Sequence, residues 1–502
     1  MKLTLDQQPN DLNPSQWHAV CHTGKFVMIV AGPGTGKTHT LTYKMAMMSQ
    51  KLLANEKILG ITFTRKAAQE MRERLKDPWQ ITADKFFIGT FHQFCLDILM
   101  AYGKLANLAD GFRVVGEEEI IGILKEHFTG QTKRTIKNQL NIIQQKKSLF
   151  PFNEDGDVLG YNRILHDRGC LDYDDLLLET VRLLEERPQI VEEVNRLYPM
   201  IFVDEYQDVN AVQHHLLKQL VKGKVHLTVI GDPQQAIYGF RGADVSLFRQ
   251  FSEDYPGAVE LALSENYRCG EYILKASHQM ITKIDEVPRL ICKIHREGQL
   301  TIYQAQTPKA EAEYVVHQIE RLVGGTSLFS QDSGRVTSQE EAYYSFGDMA
   351  ILYRLKTFRS FLVEALERSG IPFQIAGEEA PAVDNGLEKG VEKVNLLTMH
   401  AAKGLEFPVV FIVGCEQHLM PLDLEHFETN MLEERRLFYV AMTRAKERLY
   451  FLSAKKRMVY GQWMTNAISP FVKDIDEQLK QYDLPSTKKK KPKKNEDQLT
   501  LF

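Results

Sequence analysis

Eight consecutive residues, Ala31-Gly32-Pro33-Gly34-Thr35-Gly36-Lys37-Thr38, have the composition of a loop that wraps a phosphate. Glycines let successive backbone N–H groups curl round an anion, the lysine after them reaches the β and γ phosphates of a nucleoside triphosphate, and the hydroxyl beside it ligates Mg2+. The strict pattern GxxxxGK[ST] opens with glycine, where this chain has Ala31. A chance Gly-rich turn could carry the same letters, but here an apolar run, Phe26 to Val30, leads in and a helical stretch leads out, as the chemistry requires. Farther on, Ile201-Phe202-Val203-Asp204-Glu205-Tyr206-Gln207-Asp208 sets two adjacent carboxylates where an apolar run ends. Asp204 suits Mg2+, and Glu205 suits a general base for an attacking water. Alone, such a pair is more often a solvated turn. Beside a phosphate loop in the same chain, it makes hydrolysis of a nucleoside triphosphate the leading chemistry.

Three further segments are unremarkable one at a time: Val229-Ile230-Gly231-Asp232-Pro233-Gln234-Gln235-Ala236-Ile237-Tyr238-Gly239-Phe240-Arg241-Gly242, Asn266-Tyr267-Arg268, and Val440-Ala441-Met442-Thr443-Arg444-Ala445-Lys446. In order and spacing they resemble the signature of the UvrD/Rep-like branch of superfamily 1 helicases, from about Leu12 to Leu452. That resemblance implies ATP and Mg2+ as cofactors. Gln16, in Leu12-Asn13-Pro14-Ser15-Gln16, would read the adenine edge, Tyr267 would stack on the base, and Glu406 would hold the ribose. Gln235 would sense the γ phosphate, and Arg268 and Arg444 would be arginine fingers, groups worth about 10³ to 10⁵ in rate in related phosphoryl transfer. It also implies single-stranded DNA, bound in a groove where bases stack on aromatic side chains at roughly 1–3 kcal/mol each. Phe63 and Phe240 resemble the stacking residues, with Thr64, Arg65, Lys66, Tyr238 and Arg241 beside them in the same segments. Thr90, His92, Thr398 and His400 stand where the family touches the strand. A lone Phe or His is more often core than ligand; membership of a motif reverses that for the two phenylalanines.

The elements that must position these residues can be read from the apolar runs. Phe26 to Val30, a Gly-rich turn, a long helical stretch and Ile58 to Phe63 make a βαβ unit. Short apolar runs ending in polar residues recur at Met200 to Val203, Val225 to Ile230, Met349 to Tyr353, Val394 to Thr398 and Val409 to Val413. They read as buried parallel strands with chemistry at their C-terminal ends. The fold class expected is α/β: two RecA-like P-loop NTPase domains with parallel sheets, plus a helical insertion in the first. The expected boundaries are 1–95 and 197–265 for the first domain, 96–196 for the insertion and 266–472 for the second domain, with a tail at 486–502. The block Asp172-Tyr173-Asp174-Asp175-Leu176 also matches a family segment, with no chemistry attached to it.

Composition bounds the rest. A chain of 502 residues, 43% hydrophobic and 25% charged, can bury several cores. Its longest apolar run, Phe407 to Cys415, has the length of a buried strand, and its N-terminus lacks an apolar signal core. The six cysteines are far apart with no CxxC pair, which argues against zinc, an iron–sulfur cluster or a disulfide framework. A cytoplasmic protein is the expectation. The net charge of −4 does not announce nucleic acid, so any positive surface must be local.

The chain departs from the resemblance in three places. The family inserts a large domain, 2B, where only residues 376–393 intervene here; eighteen residues with Pro381 and four glutamates cannot bury a core. That puts processive unwinding in doubt and leaves translocation intact. His39 follows Thr38 where relatives commonly have arginine near the base, which would loosen the preference for adenine. The helical insertion, by contrast, is retained, and its Lys133, Arg134, Lys137, Lys146 and Lys147 either contact phosphates or form a solvated face. Finally, a Lys-rich tail ends in Gln498-Leu499-Thr500-Leu501-Phe502, which resembles the QLxLF peptide that docks on the bacterial sliding clamp through Gln498, Leu499, Leu501 and Phe502. The expected activity is therefore an ATP-dependent helicase or translocase moving 3′→5′ on single strands and acting on 3′-tailed duplexes. The alternatives are a DNA-stimulated ATPase that displaces proteins, a silent clamp-tethered adapter, and a small-molecule kinase, which would have no use for the aromatic segments.

Overall fold

A computed structural model describes residues 8–76, 83–106, 108–152, 155–324, 344–376, 390–424 and 429–483. The terminal peptide from Gln498 to Phe502, and residues 377–389 of the short 376–393 connection, lie outside the described residues.

The first half of the chain contributes β1 (Phe26–Ala31), β2 (Ile58–Ile61), β3 (Phe86–Gly89), β4 (Arg113–Val114), β5 (Cys170–Leu171), β6 (Met200–Val203), β7 (His226–Gly231) and β8 (Val259–Leu263). Six of them form one parallel sheet in the order β3-β2-β6-β7-β1-β8. The order reverses between β7 and β1, so the phosphate loop leaves β1 one strand away from the carboxylates that leave β6, with β7 between them, at the kind of switch point where open α/β sheets bind ligands. β2 and β6 are buried at every residue. That is why they read as unbroken apolar runs.

Next come β9 (Glu265–Asn266), β10 (Ile291–Cys292), β11 (Gln299–Ala305), β12 (Met349–Tyr353), β13 (Phe373–Ile375), β14 (Val394–Thr398), β15 (Phe407–Ile412), β16 (Ala445–Ala454), β17 (Lys456–Val459), β18 (Gln462–Thr465) and β19 (Lys480–Tyr482). The second sheet is also parallel, in the order β13-β14-β12-β15-β16-β11-β19. Both sheets are covered by helices, giving the expected α/β architecture with two parallel sheets. β13 and β14, which bracket the 376–393 connection, are direct partners through Phe373 and Val394.

Boundaries moved where hydrophobicity and hydrogen bonding part company. β2 stops at Ile61, so Phe63 leaves the sheet; β7 starts one residue late and β15 two residues early. β3, β8, β11 and β16 were not anticipated. β8 is only partly buried, and β16 opens Ala-Lys-Glu-Arg before its apolar half.

The helical text from 96 to 196 divides between two cores. Ile120, Ile136, Leu140, Val158 and Leu165 pack together on their own. Leu176 to Leu184, Ile190 and Val194 instead join Phe94, Ile98 and the face of the first sheet. The seam between them is ionic: Lys147 at the end of the helix Lys133–Lys147 is fully buried and donates to Asp172 (2.8 Å) and Asp175, while Tyr161 Oη donates to Asp172 (2.7 Å). The same two aspartates form the capping box that starts the helix Tyr173–Glu186. This gives the Asp172–Leu176 block a structural role. It also corrects the reading of Lys147 as a phosphate contact, because the side chain is sealed in by its two carboxylates. Lys133, Lys137 and Lys146 pair with Glu118, Glu117 and Asp155 at the surface, which favours the solvated-face reading for them. Among the described residues, no helix is long and apolar enough to cross a membrane.

Candidate functional site

The phosphate loop has the backbone its glycines allow. Gly34 and Gly36 have φ of 68° and 81°, a region costly for other residues, and Gly36 delivers the chain into the helix Lys37–Ser49. A side chain on Gly34 would also collide with Arg268 and Asn266, which come from the far side of the cleft. Asn266 Nδ2 donates to Pro33 O (2.6 Å), and the Tyr267 N–H donates to Gly34 O (2.8 Å). Lys37 Nζ donates to Ala31 O (3.1 Å) and Gly32 O (3.3 Å), and Thr35 Oγ1 donates to Gly32 O (2.9 Å). Thr38 is half-buried on the first turn of that helix.

On the base side, Asn13 caps the helix Pro14–Cys21 with Gln16 completing the capping box. Gln16 is buried, and its Nε2 donates to Thr35 O (2.9 Å). Asn13 Nδ2 also donates to Tyr267 Oη (3.0 Å), which ties the half-exposed tyrosine to the same segment. His39 pairs with Asp11 (3.2 Å) and lies edge-on to Tyr43. One short stretch, Asp11 to Gln16, thus organises Gln16, His39 and Tyr267 together.

On the other side of the loop, the two carboxylates that end β6 are pushed in opposite directions. Burial and the neighbouring Glu205 raise Asp204 to about 7. Burial would raise Glu205 as well, but the charges of Lys37 and Lys403, with the Gln207 amide and Arg444, hold it below the ordinary carboxylate range. Glu205 sits in the left-handed region at φ 52°, an uncommon conformation for a non-glycine residue at a strand end.

Two arginines from the second half of the chain reach this cleft, Arg268 after β9 and Arg444 just before β16. Arg444 is buried, donates from Nη2 to Gln235 Oε1 (3.2 Å) and from Nη1 to Leu405 O (3.0 Å), and is lowered to about 9 by burial and by Arg268. Arg268 Nε donates to Glu406 (2.7 Å), which also takes Lys446 (2.8 Å). Burial works to raise Glu406, but the two cations hold it down at about 2. Gln235 is held in turn by Asp232 (2.8 Å).

Of the expected strand-contacting residues, Phe63, Tyr238, Phe240 and His400 form one chain of ring contacts, with Arg241 beside it. Phe63 is half-buried, with one ring face stacked on buried Tyr238 at 4.9 Å. Phe240 is 56% exposed, edge-on to His400 at 5.5 Å, with the Arg241 guanidinium 5.6 Å away. Burial first, then Arg354, Arg241 and Lys403, lowers His400 to about 3, and burial and Arg65 lower His92 to about 4, so both rings are neutral at pH 7. Thr90 caps the helix Phe91–Tyr102, and Thr398 Oγ1 accepts the Ala401 N–H (3.2 Å). Arg65 and Lys66 begin the helix Arg65–Lys76 after Thr64, whose Oγ1 accepts the Ala67 N–H (2.9 Å).

Sequence reasoning passed over Lys403 and Asp208, although Asp208 closes the segment that holds Asp204 and Glu205 and Lys403 stands between His400 and Glu406. Lys403 Nζ crosses from the second sheet to Asp208 and to Gln235 O (2.7 Å), and lies 5.0 Å from the Tyr238 ring. Its side chain is 6% exposed and that of Asp208 is fully buried. One ammonium group therefore touches the carboxylate side of the cleft and the aromatic path at once.

Comparison with known proteins agrees with this geometry. Residues 12–256 match the UvrD/REP helicase N-terminal domain, and residues 261–380 and 381–456 match the UvrD-like helicase C-terminal domain. The ATP-dependent DNA helicase PcrA of Bacillus subtilis (strain 168) is 26% identical over 646 aligned positions, covering 95% of this chain and 87% of the relative. The PcrA of Staphylococcus epidermidis RP62A is 27% identical, covering 93% and 87%, and that of Staphylococcus aureus NCTC 8325 is 26% identical, covering 94% and 87%. The aligned span exceeds the 502 residues of this chain, so these relatives carry stretches that it lacks.

Proposed function

Because this chain belongs to the UvrD/REP helicase family and is an ATP-dependent DNA helicase, we propose that it steps 3′→5′ along single-stranded DNA, closing its two domains on ATP and opening them after hydrolysis. The observation that carries the motor is the cleft itself; the direction rests on the family resemblance alone. The phosphate loop and the Asp204–Glu205 pair come from the first sheet, Arg444 comes from just before β16 in the second and Arg268 from the turn after β9, and Lys403 and Gln235 run from that cleft to the aromatic path. A small-molecule kinase needs the first part of this arrangement but not the second.

In this reading, Ala31 to Thr38 cradle the triphosphate, Gln16 reads the adenine edge, Tyr267 and His39 flank the base, and Glu406 holds the ribose. Glu205 takes the proton from the attacking water; its depressed carboxyl is ionised and ready to accept it. Gln235 faces the γ phosphate, and Arg268 and Arg444 neutralise the charge that develops there. Mg2+ fits the donor set: Thr38 and Asp204 offer hard oxygens, about the number this ion takes from protein when it also holds phosphates. A buried carboxylate raised to about 7 is one that a cation would favour in its charged form. Bound Mg2+ would supply further charge neutralisation at the phosphates. Phe63 and Phe240 would carry bases, with Thr64, Arg65, Lys66, Thr90, His92, Tyr238, Arg241, Thr398 and His400 along the strand.

The break in the C-terminal match at 380/381 and the direct pairing of β13 with β14 support reading 376–393 as the vestige of 2B. A translocase that displaces proteins without long unwinding remains the second reading for that reason. For the tail, Gln498, Leu499, Leu501 and Phe502 have the residue types of a clamp-docking peptide on a Lys-rich tether.

The deciding experiment measures ATPase rate with and without single-stranded DNA, and strand separation on duplexes with 3′ or 5′ overhangs. Stimulation with 3′-dependent unwinding is expected. Stimulation without unwinding selects the translocase, and an ATPase indifferent to DNA removes the motor.

A further inference from the structure

The helix Met431–Met442 touches one segment of the first domain at both of its ends. At the C-terminal end, Thr443 closes the helix and Arg444, directly after it, donates to Gln235 Oε1. At the N-terminal end, Asn430 caps the N–H groups of Leu432 and Glu433, and the Glu433 carboxylate faces the backbone N–H of Gly239. A Cβ on Gly239 would collide with Glu433 Oε2. Gly239 is not among the left-handed glycines, so a side chain there would displace the Glu433 carboxylate rather than strain the backbone.

The lengths match. Nine helical steps from Glu433 to Met442 cover roughly 14 Å at 1.5 Å each, and four chain steps from Gln235 to Gly239 span at most roughly 14 Å. The turn Pro233–Gln235 packs on the same helix. Helix and segment therefore run side by side in opposite directions, pinned at both ends.

We propose that Glu433 is a positioning residue. With Arg444 at the other end, it makes this helix a splint for Gln235–Gly239, so that a base arriving on Phe240 shifts Gln235 and Arg444 as one body. The inference rests on the roles proposed above for Gln235, Arg444 and Phe240. Without the N-terminal pin, Gly239 moves independently of the helix, and DNA binding no longer sets the geometry at the phosphate.

The test compares ATPase kcat and KM, with and without saturating oligo-dT, for wild type, Glu433→Ala, Glu433→Gln, Gly239→Ala and the double variant Glu433→Ala/Gly239→Ala. Glu433→Ala is expected to keep the unstimulated kcat and the KM for ATP while the DNA-stimulated kcat falls about 10- to 100-fold, the scale of a misplaced catalytic group. Glu433→Gln, which keeps the length of the side chain and an oxygen to face the Gly239 N–H, should recover most of the stimulation. Gly239→Ala, which forces the carboxylate aside, should reproduce the loss, and the double variant should be no worse than either single one. Undiminished stimulation in Glu433→Ala, or additive losses in the double variant, overturns the splint. A wild type whose ATPase ignores oligo-dT instead overturns the reading on which it rests.

Discussion

Glu205 and Asp204 are neighbours in sequence with opposite electrostatic fates: Lys37 favours the charged form of both, but Lys403, Arg444 and the Gln207 amide add to it only at Glu205, while burial and the Glu205 charge prevail at Asp204. Changing Glu205 to Gln keeps shape and removes the base. Glu205→Gln should bind ATP as the wild type does and lose about 10²- to 10⁴-fold in hydrolysis; equilibrium binding of a fluorescent ATP analogue beside single-turnover hydrolysis checks both halves. Phe240 is different in kind, since it touches solvent rather than core. Phe240→Ala should cost roughly 1–3 kcal/mol of single-strand affinity and leave ATP affinity unchanged, as read by anisotropy of a labelled oligonucleotide.

Two elements depend on buried lysines that take no part in the chemistry. Lys147 joins the helical insertion to the first domain through Asp172 and Asp175. Lys147→Met strands two buried carboxylates and should cost about 3–5 kcal/mol, read in urea unfolding, while leaving the salt dependence of DNA binding unaltered because no phosphate contact is lost. Lys44 donates to Ala19 O (2.9 Å) and His22 O, at the end of the helix that carries Gln16. Burial lowers Lys44 to about 8, below its ordinary 10.5. Between those two values the unfolded chain holds a proton that the folded chain has released, so the contribution of Lys44 to stability rises as pH goes from about 8 to about 10. Lys44→Met should flatten that part of the melting-temperature profile.

At the scale of the whole molecule, the cleft takes residues from both halves of the chain, which the proposed motor closes on each other. The linking contacts Asn266 to Pro33, Arg444 to Gln235 and Lys403 to Asp208 all cross that boundary. The residues they join all precede the tail, which begins at residue 486. Removal of residues 486–502 should therefore leave ATPase and its stimulation by oligo-dT unchanged and abolish capture on an immobilised sliding clamp; a shortened chain with impaired ATPase would mean that the tail serves the motor instead.

The phosphate loop, the Asp204–Glu205 pair and the buried parallel strands were legible in the sequence, because each is local. A glycine spacing, a strand end and an unbroken apolar run carry their signal within about ten residues. Partly exposed β8 and half-charged β16 were not, since sheet pairing rather than hydrophobicity makes them strands. Lys147 and Lys403 show the same limit at the level of side chains. On paper both are solvated lysines, one in a basic helix and one in a motif, and nothing nearby in the chain marks either as buried. Only the tertiary structure supplies their partners, Asp172 and Asp175 for the first and Asp208 for the second, because the cost of burying a charge is met by residues that the fold brings from far along the chain.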